Sequence, residues 1–539
     1  MGYADLVLKS NCVFTGFSEA PFKGGVAVKG NKILDVGLED AVDRYIGPDT
    51  KVYAYGDNLI MPGFVEAHIH FVMAAFFGTK YMIDLFDCSS EQECVARVVA
   101  YNEDNPDCER ILGSNWWPQN WDERVDPHRA NIDRFIDDKP VYMICSDYHT
   151  VWCNTKALEE CGVTKETTPS FGRIGKDADG ELTGVLYDME ACAPAFDNAF
   201  KLPDDILKNV LKDFFKRLAS RGITSAAFVD IKTVSVGDYL DYRLLGEMEK
   251  DGDLTCRLHM YPSLGTKPDL SKQRKLRDLY TSEKLRVSGL KQFFDGATTA
   301  FTSYLLEPFT NNPSTRGMAF YPDEIYKEMI ALAHKEGFDL KLHVIGDAAT
   351  RLALDCLENA YTLYGKNGSR DCLEHIETPE YHDMRRFGQL DIIASMQPPH
   401  LPLNDNEKIV YLGKERAKCE FAYRSFQETG ATLAFGTDCP VSNYEPMPSL
   451  HAAVARKTDA GVPTGSNPWE KLSLPSALKA YTYGGAYAVH REHEFGTLKK
   501  GFCADIAVID GPLFGQDPET YFDRKVLLTV MDGKVVHEL

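Results

Sequence analysis

The chain has 539 residues, 44% of them hydrophobic, which is enough to bury a large core in one to three domains. Its 59 basic and 80 acidic side chains leave a net charge of −21, which argues against nucleic acid and anionic membranes as partners. No run of about 18 apolar residues occurs, so no transmembrane helix is expected.

Residues 1–60 read as short strands over Asp5–Lys9, Gly25–Lys29 and Lys32–Val36, with Gly30-Asn31 as a hairpin turn. The other end reads the same way: Asp505–Ile509 and Val526–Val530 are apolar strands, and Asp532-Gly533 is a tight turn before Lys534–Val536. Two β-rich ends around a different middle predict one small composite β domain, residues 1–60 with 488–539. The start of the chain shows no signal-peptide pattern, and Leu6 breaks a myristoylation pattern. Fourteen scattered cysteines without Cys-x-x-Cys spacing read as free thiols, so a cytoplasmic location is expected.

The middle, 61–487, opens with Met61-Pro-Gly-Phe-Val-Glu-Ala-His-Ile-His70. On a strand, residues i and i+2 share a face, so His68 and His70 leave together as half of a divalent-metal site, or else as two ordinary hydrogen-bonded imidazoles. Strand-like runs follow at Gly222–Asp230, Cys256–Tyr261, Val287–Phe294, Asp339–Ile345, Asp371–Ile376, Asp391–Met396 and Ala431–Gly436, with helical stretches such as Asp323–Ala333 between them. Eight strands alternating with helices fit a (β/α)8 barrel. A doubly wound open sheet is the other arrangement, but no Gly-rich dinucleotide turn follows an early strand. Residues 72–220 are too long for a loop and read as an inserted subdomain. It starts at the C-terminal end of the first barrel strand, where barrel active sites lie, and is therefore expected to cover the site.

Four further metal-capable residues fall at or near strand ends: Lys291 on the fourth strand, His343 on the fifth, His375 on the sixth and Asp438 after the eighth. Those ends converge in a barrel. Zinc held by imidazoles and a carboxylate lowers the pKa of bound water toward ~7, and the resulting hydroxide attacks a carbonyl. Asp438 would take the proton and return it to the leaving nitrogen.

The sequence resembles the amidohydrolase superfamily, and within it amidohydrolase family 3. The matching segments are Pro62–His70, Gly289–Gly296, Leu342–Asp347, Glu374-His375, Ser395–Pro398 and Gly436–Val441, with Asn115-Trp116, Ser146–His149 and Asn154–Leu158 in the insertion. The resemblance implies a distorted TIM barrel with a β-sandwich from both chain ends. It also implies metal ligands at His68, His70, His343 and His375, with Asp438 as ligand and proton shuttle. Related binuclear sites carry a carbamylated strand-four lysine bridging two metals, here Lys291; the alternative is a plain lysine paired with Asp295 or a similar carboxylate. A homodimer is a family-level expectation. One departure is Glu66 where relatives usually have Asp, either a partner supporting the ligands or a buried acid. Another is the missing arginine after Asp347.

Trp116, Trp117, Trp121 and Trp152 are four of the chain's five tryptophans. They form the core of the insertion, or one or two of them line a substrate pocket. Further pocket candidates are His149, Phe294 and His400; His149 contacts substrate or a backbone carbonyl. The expected function is metal-dependent hydrolysis of a non-peptide C–N bond, such as a substituted amide, by a metal-activated hydroxide. The alternatives are a deaminase or lactonase on the same scaffold, and a non-catalytic barrel that binds a small molecule.

Overall fold

The structure is a computed structural model describing residues 2–169, 171–229, 240–401, 407–457 and 467–539. The chain divides into two units. One comprises Met1–His70, Lys212–Val229 and Tyr242–Leu539, and the other is centred on Phe71–Leu211. Asp230, the end of one predicted strand, lies outside the described residues.

In the first unit the two chain ends share one sheet. Strands β1 (Leu6–Val13), β2 (Phe22–Lys29), β3 (Lys32–Gly37), β4 (Lys51–Ala54) and β5 (Leu59–Pro62) join β21 (Ile506–Ile509), β22 (Val526–Met531) and β23 (Lys534–Glu538). The order is β23-β22-β21-β5-β1-β2-β3, with β4 also paired to β1. The Gly30-Asn31 and Asp532-Gly533 turns close the antiparallel hairpins β2/β3 and β22/β23, as their turn chemistry predicts. Side chains alternate across the sheet. Leu6, Leu8, Val26, Val28, Ile506, Val508, Leu528 and Val530 share one apolar cluster. Val7 and Ala27 pack on the other face with Val42 and Tyr45.

Parallel strands carry the rest of the unit. One set runs β15-β14-β13-β6, from β6 (Phe64–Ile69), β13 (Ile223–Val229), β14 (Arg257–Tyr261) and β15 (Leu285–Val287). The other runs β16-β17-β18-β19-β20, from β16 (Leu290–Phe293), β17 (Leu340–Val344), β18 (Cys372–His375), β19 (Ile393–Met396) and β20 (Leu433–Phe435). The predicted fourth strand is thus divided at Ser288-Gly289, its halves pairing in different sheets. Helices such as Asp323–Lys335, Asp347–Tyr364 and Tyr381–Leu390 separate the later strands, and β17, β18 and β19 are buried throughout. Burial on both faces is what a helix-covered parallel sheet requires.

Backbone hydrogen bonds join the two parallel sets at both margins. Beside β14, Lys291 N–H donates to Pro262 O (2.9 Å) and Leu264 N–H to Lys291 O (2.8 Å). Beside β6, Asp438 N–H donates to His68 O (2.8 Å) and His70 N–H to Cys439 O (3.0 Å). Glycine is needed where β20 meets β6, because a Cβ at Gly436 would stand 2.5 Å from His68 N and from Glu66 Oε1. Arg257, fully buried on β14, ties the parallel strands to the terminal sheet: its Nε and Nη2 donate to Asp505 (2.8 and 3.2 Å) and Nη2 also to Asp532 (3.0 Å). Among the described residues, no helix is long and apolar enough to cross a membrane.

The second unit holds a six-stranded sheet in the order β11-β12-β10-β9-β8-β7, from β7 (Ile83–Asp84), β8 (Ile111–Trp116), β9 (Val141–Cys145), β10 (Thr150–Cys153), β11 (Arg173–Lys176) and β12 (Leu182–Tyr187). Its core gathers Trp116, Trp121 and Trp152 with Ile111, Val141, Met143 and Val185, and Trp117 packs on its edge, half-buried. Trp116 Nε1–H donates to Met143 O (2.9 Å), which lets the indole sit inside without losing its hydrogen bond.

Candidate metal centre

β6 ends at the first histidine pair, and its hydrogen bonds to the segment after β20 bring Asp438 against both rings. Asp438 Oδ1 lies 3.2 Å from His68 Nε2 and 3.0 Å from His70 Nε2, and Oδ2 lies 3.8 Å from His375 Nδ1. The ring of His375 is 4.9 Å from that of His68 and 4.4 Å from that of His343. Residues from β6, β17, β18 and the end of β20 therefore meet at the C-terminal ends of their strands. Lys291 lies on β16 with its Nζ buried and without a hydrogen-bond partner, 4.9 Å over the Phe293 ring, which is itself 5.0 Å from the His343 ring.

The backbone is strained at two of these positions. His375 (φ 71°) and Asp438 (φ 59°) both take left-handed conformations. Such conformations cost a non-glycine residue about 1–3 kcal/mol and persist where the surroundings over-determine them. The turn at His375 has a further effect. Neighbouring strand residues normally face opposite ways, yet both Glu374 and His375 here contact His68.

His68 is held at every handle but Nε2. Its Nδ1 bonds the Glu374 carboxylate, which also accepts from Ser395 Oγ (2.7 Å) and Lys341 Nζ (2.8 Å). Its backbone N–H donates to Glu66 Oε1 (3.1 Å). The bond between His70 Nδ1 and Val229 O (3.2 Å) fixes that ring as well. In both rings Nε2 is left to face Asp438.

Glu66 reaches backbone rather than imidazole. Besides His68 N–H, it accepts Thr437 N–H (2.7 Å) and the Tyr481 hydroxyl (2.9 Å), so it clasps β6 to the segment that presents Asp438. Burial pushes its carboxyl up to about 7. Asp295 does not pair with Lys291. It accepts the backbone N–H groups of Tyr304 (2.8 Å), Ile345 (2.9 Å) and Gly346 (2.9 Å), and burial raises it to about 7. Burial lowers Lys291 to about 8 and holds His70 and His375 below the ordinary imidazole value. Asp438 is the reverse case: burial alone would raise it, but His68 and His70 hold it well below the usual carboxylate range.

The pocket candidates divide. His400 joins the cluster, with Nε2 3.7 Å from Asp438 Oδ2 and its ring stacked on His375 at 6.0 Å. Phe294 does not: it is buried flat against Tyr326 (4.0 Å between centroids), and its neighbour Phe293 is the ring that meets His343 and Lys291. The position two residues after Lys291 shares its face, a signal that strand parity alone supplies. Trp116 and Trp152 lie in the core of the second unit. In the same unit the His149 imidazole faces the Asp188 carboxylate (3.5 Å). No motif in the sequence marks Lys341, two residues before His343, or the buried pair of Lys408 with Glu377. Burial alone would raise Glu377, but the Lys408 ammonium holds it at about 2. Glu377 Oε1 lies 3.9 Å from His400 Nδ1.

The donor set suits a metal ion. His68 Nε2, His375 Nδ1 and Asp438 Oδ1 are buried without hydrogen-bond partners, and donor atoms of these three residues lie within 4.8 Å of one another. A tetrahedral ion bound at about 2.0–2.2 Å needs donors about 3.3 Å apart, and the His68–Asp438 spacing of 3.2 Å already meets this. Unpaired buried polar atoms are costly, so their convergence calls for a cation between them.

Comparison with known proteins finds relatives over nearly the whole chain. The model of the amidohydrolase family matches residues 54–537. The chain is 27% identical to the putative amidohydrolase YtcJ of Bacillus subtilis over 98% of both chains. It is 26% identical to the N-substituted formamide deformylase of Arthrobacter pascens, over 95% of this chain and 94% of that one. An uncharacterised metal-dependent hydrolase from Pyrococcus furiosus superposes with a TM-score of 0.74 at 25% identity, covering 95% of this chain and 99% of the other. A metal-dependent hydrolase is the class that this fold and this set of donors define. The chain belongs to the amidohydrolase family.

Proposed function

We propose that the protein hydrolyses a substituted amide at a zinc centre built from His68, His70, His343, His375 and Asp438. The observation that carries this reading is the convergence of buried, unpartnered donor atoms around Asp438. The two sets of parallel strands, bonded at both margins, support their closure as one (β/α)8 barrel with the site at its C-terminal mouth. Imidazole and carboxylate donors suit zinc. A buried Lys291 amine without a hydrogen-bond partner supports carbamylation there, which would convert it into a carboxylate-like bridge between two ions.

The bound metal supplies Lewis-acid polarisation of the substrate carbonyl and of water. Asp438 Oδ1 accepts the proton of the water that adds to the carbonyl carbon. The same carboxyl then delivers that proton to the nitrogen as the C–N bond breaks. His68 and His70, each fixed through Nδ1, keep Nε2 turned toward this exchange. His400 stands beside Asp438, where it can bond a polar group of the substrate, and Phe293 offers an apolar wall beside His343.

A panel of N-formyl, N-acyl and cyclic amides tests the reading. At least one open-chain substituted amide is expected to be hydrolysed, with activity lost on chelation and restored by zinc. Turnover that survives complete metal removal contradicts it.

A further inference from the structure

Beneath the donors, on the side away from Asp438, lies a polar cluster with no part in the chemistry proposed above. Lys341, Glu374 and Ser395 are all fully buried on β17, β18 and β19. Lys341 Nζ bonds two acceptors, Glu374 Oε1 (2.8 Å) and the carbonyl of Ala67 (3.0 Å), the residue before His68. Glu374 Oε2 accepts Ser395 Oγ (2.7 Å) and bonds His68 Nδ1. A carboxylate can only accept, so the Nδ1–H tautomer of His68 is selected and its Nε2 lone pair is left facing Asp438.

We propose that Glu374 and Lys341 are positioning residues that preset His68 as the anchoring metal ligand before any ion arrives. The inference rests on the metal-centre reading. Two features separate it from plain core packing. First, a buried ion pair is a poor source of stability compared with apolar side chains of the same volume, so stability alone gives little reason for two charges here. Second, both members of the pair act on the same residue: Lys341 holds the carbonyl before His68, and Glu374 holds its ring. Glu66 and Asp438 hold its backbone N–H and C=O. The remaining free handle is the atom that would bind metal. A histidine supported in this way is a stronger donor, because the carboxylate stabilises the charge that the ring gains on ligation.

Zinc affinity of the metal-free full-length protein, measured by competition with a chromogenic chelator, is the test. Glu374→Gln is expected to weaken zinc binding by about 10–100-fold. Since that variant leaves the Lys341 ammonium without its counter-charge, the double variant Lys341→Met/Glu374→Gln removes both charges and keeps the fold testable. The double variant is expected to show wild-type circular dichroism with the same loss of zinc affinity. A folded double variant that binds zinc as tightly as the wild type overturns the positioning role while leaving the metal centre standing. A wild-type protein that binds no zinc overturns the metal-centre reading, and this inference with it.

Discussion

Replacing Asp438 with asparagine is expected to lower kcat by about 10²–10⁴-fold while the protein stays folded. Asn has the same shape and is among the few residues that tolerate the left-handed conformation at this position (φ 59°). Its amide oxygen can still face His68 and His70, which lie 3.2 and 3.0 Å from Asp438 Oδ1. What is lost is a group that can take a proton from water and give it back to nitrogen. The effect should therefore fall on kcat, with metal content affected less than turnover. Steady-state rates measured beside metal analysis check this, and unchanged turnover would show that another group carries the proton.

The largest effect on stability is expected at Arg257. Its guanidinium is fully buried and is the shared partner of Asp505 and Asp532, and Lys284 also reaches Asp532 (3.1 Å). Arg257→Met removes the cation and leaves the Asp505 carboxylate inside without its counter-charge. Breaking one side of a buried pair in this way typically costs about 3–5 kcal/mol. A denaturation series should show the loss as a lower midpoint, with hydrolytic activity per folded molecule unchanged because Arg257 opens β14 at its N-terminal end, whereas Asp438 sits at the C-terminal strand ends. Adding Asp505→Asn to the variant should recover part of the loss. A midpoint shift worth less than about 1 kcal/mol would mean that the pair is solvated rather than locking the two sheets together.

Much of the site was readable from the chain because strand chemistry is local. His68-x-His70 announces a shared face, and runs such as Leu342–Asp347 mark where a strand gives way to a loop. The turn pairs Gly30-Asn31 and Asp532-Gly533 fixed both predicted hairpins. Contacts made over long sequence separations were not readable. The approach of Glu374 to His68 is one of these, because strand parity sends neighbours to opposite faces and holds only while φ stays negative, whereas φ at His375 is 71°. Glu66 gave no sign that its partners would be the amides of His68 and Thr437, the latter 371 positions away. Phe294 was expected at the pocket, but it is Phe293 that shares a strand face with Lys291 and meets His343. The tryptophan group was ambiguous because an aromatic cluster fills a core and a pocket equally well, and Trp116, Trp121 and Trp152 fill a core.

Metal analysis of the purified protein, combined with anomalous scattering at the zinc edge, reads the proposed zinc centre itself. One or two zinc ions per chain are expected, bound among His68, His70, His343, His375 and Asp438. Protein that holds no metal after incubation with zinc, or that holds it away from Asp438, would contradict it.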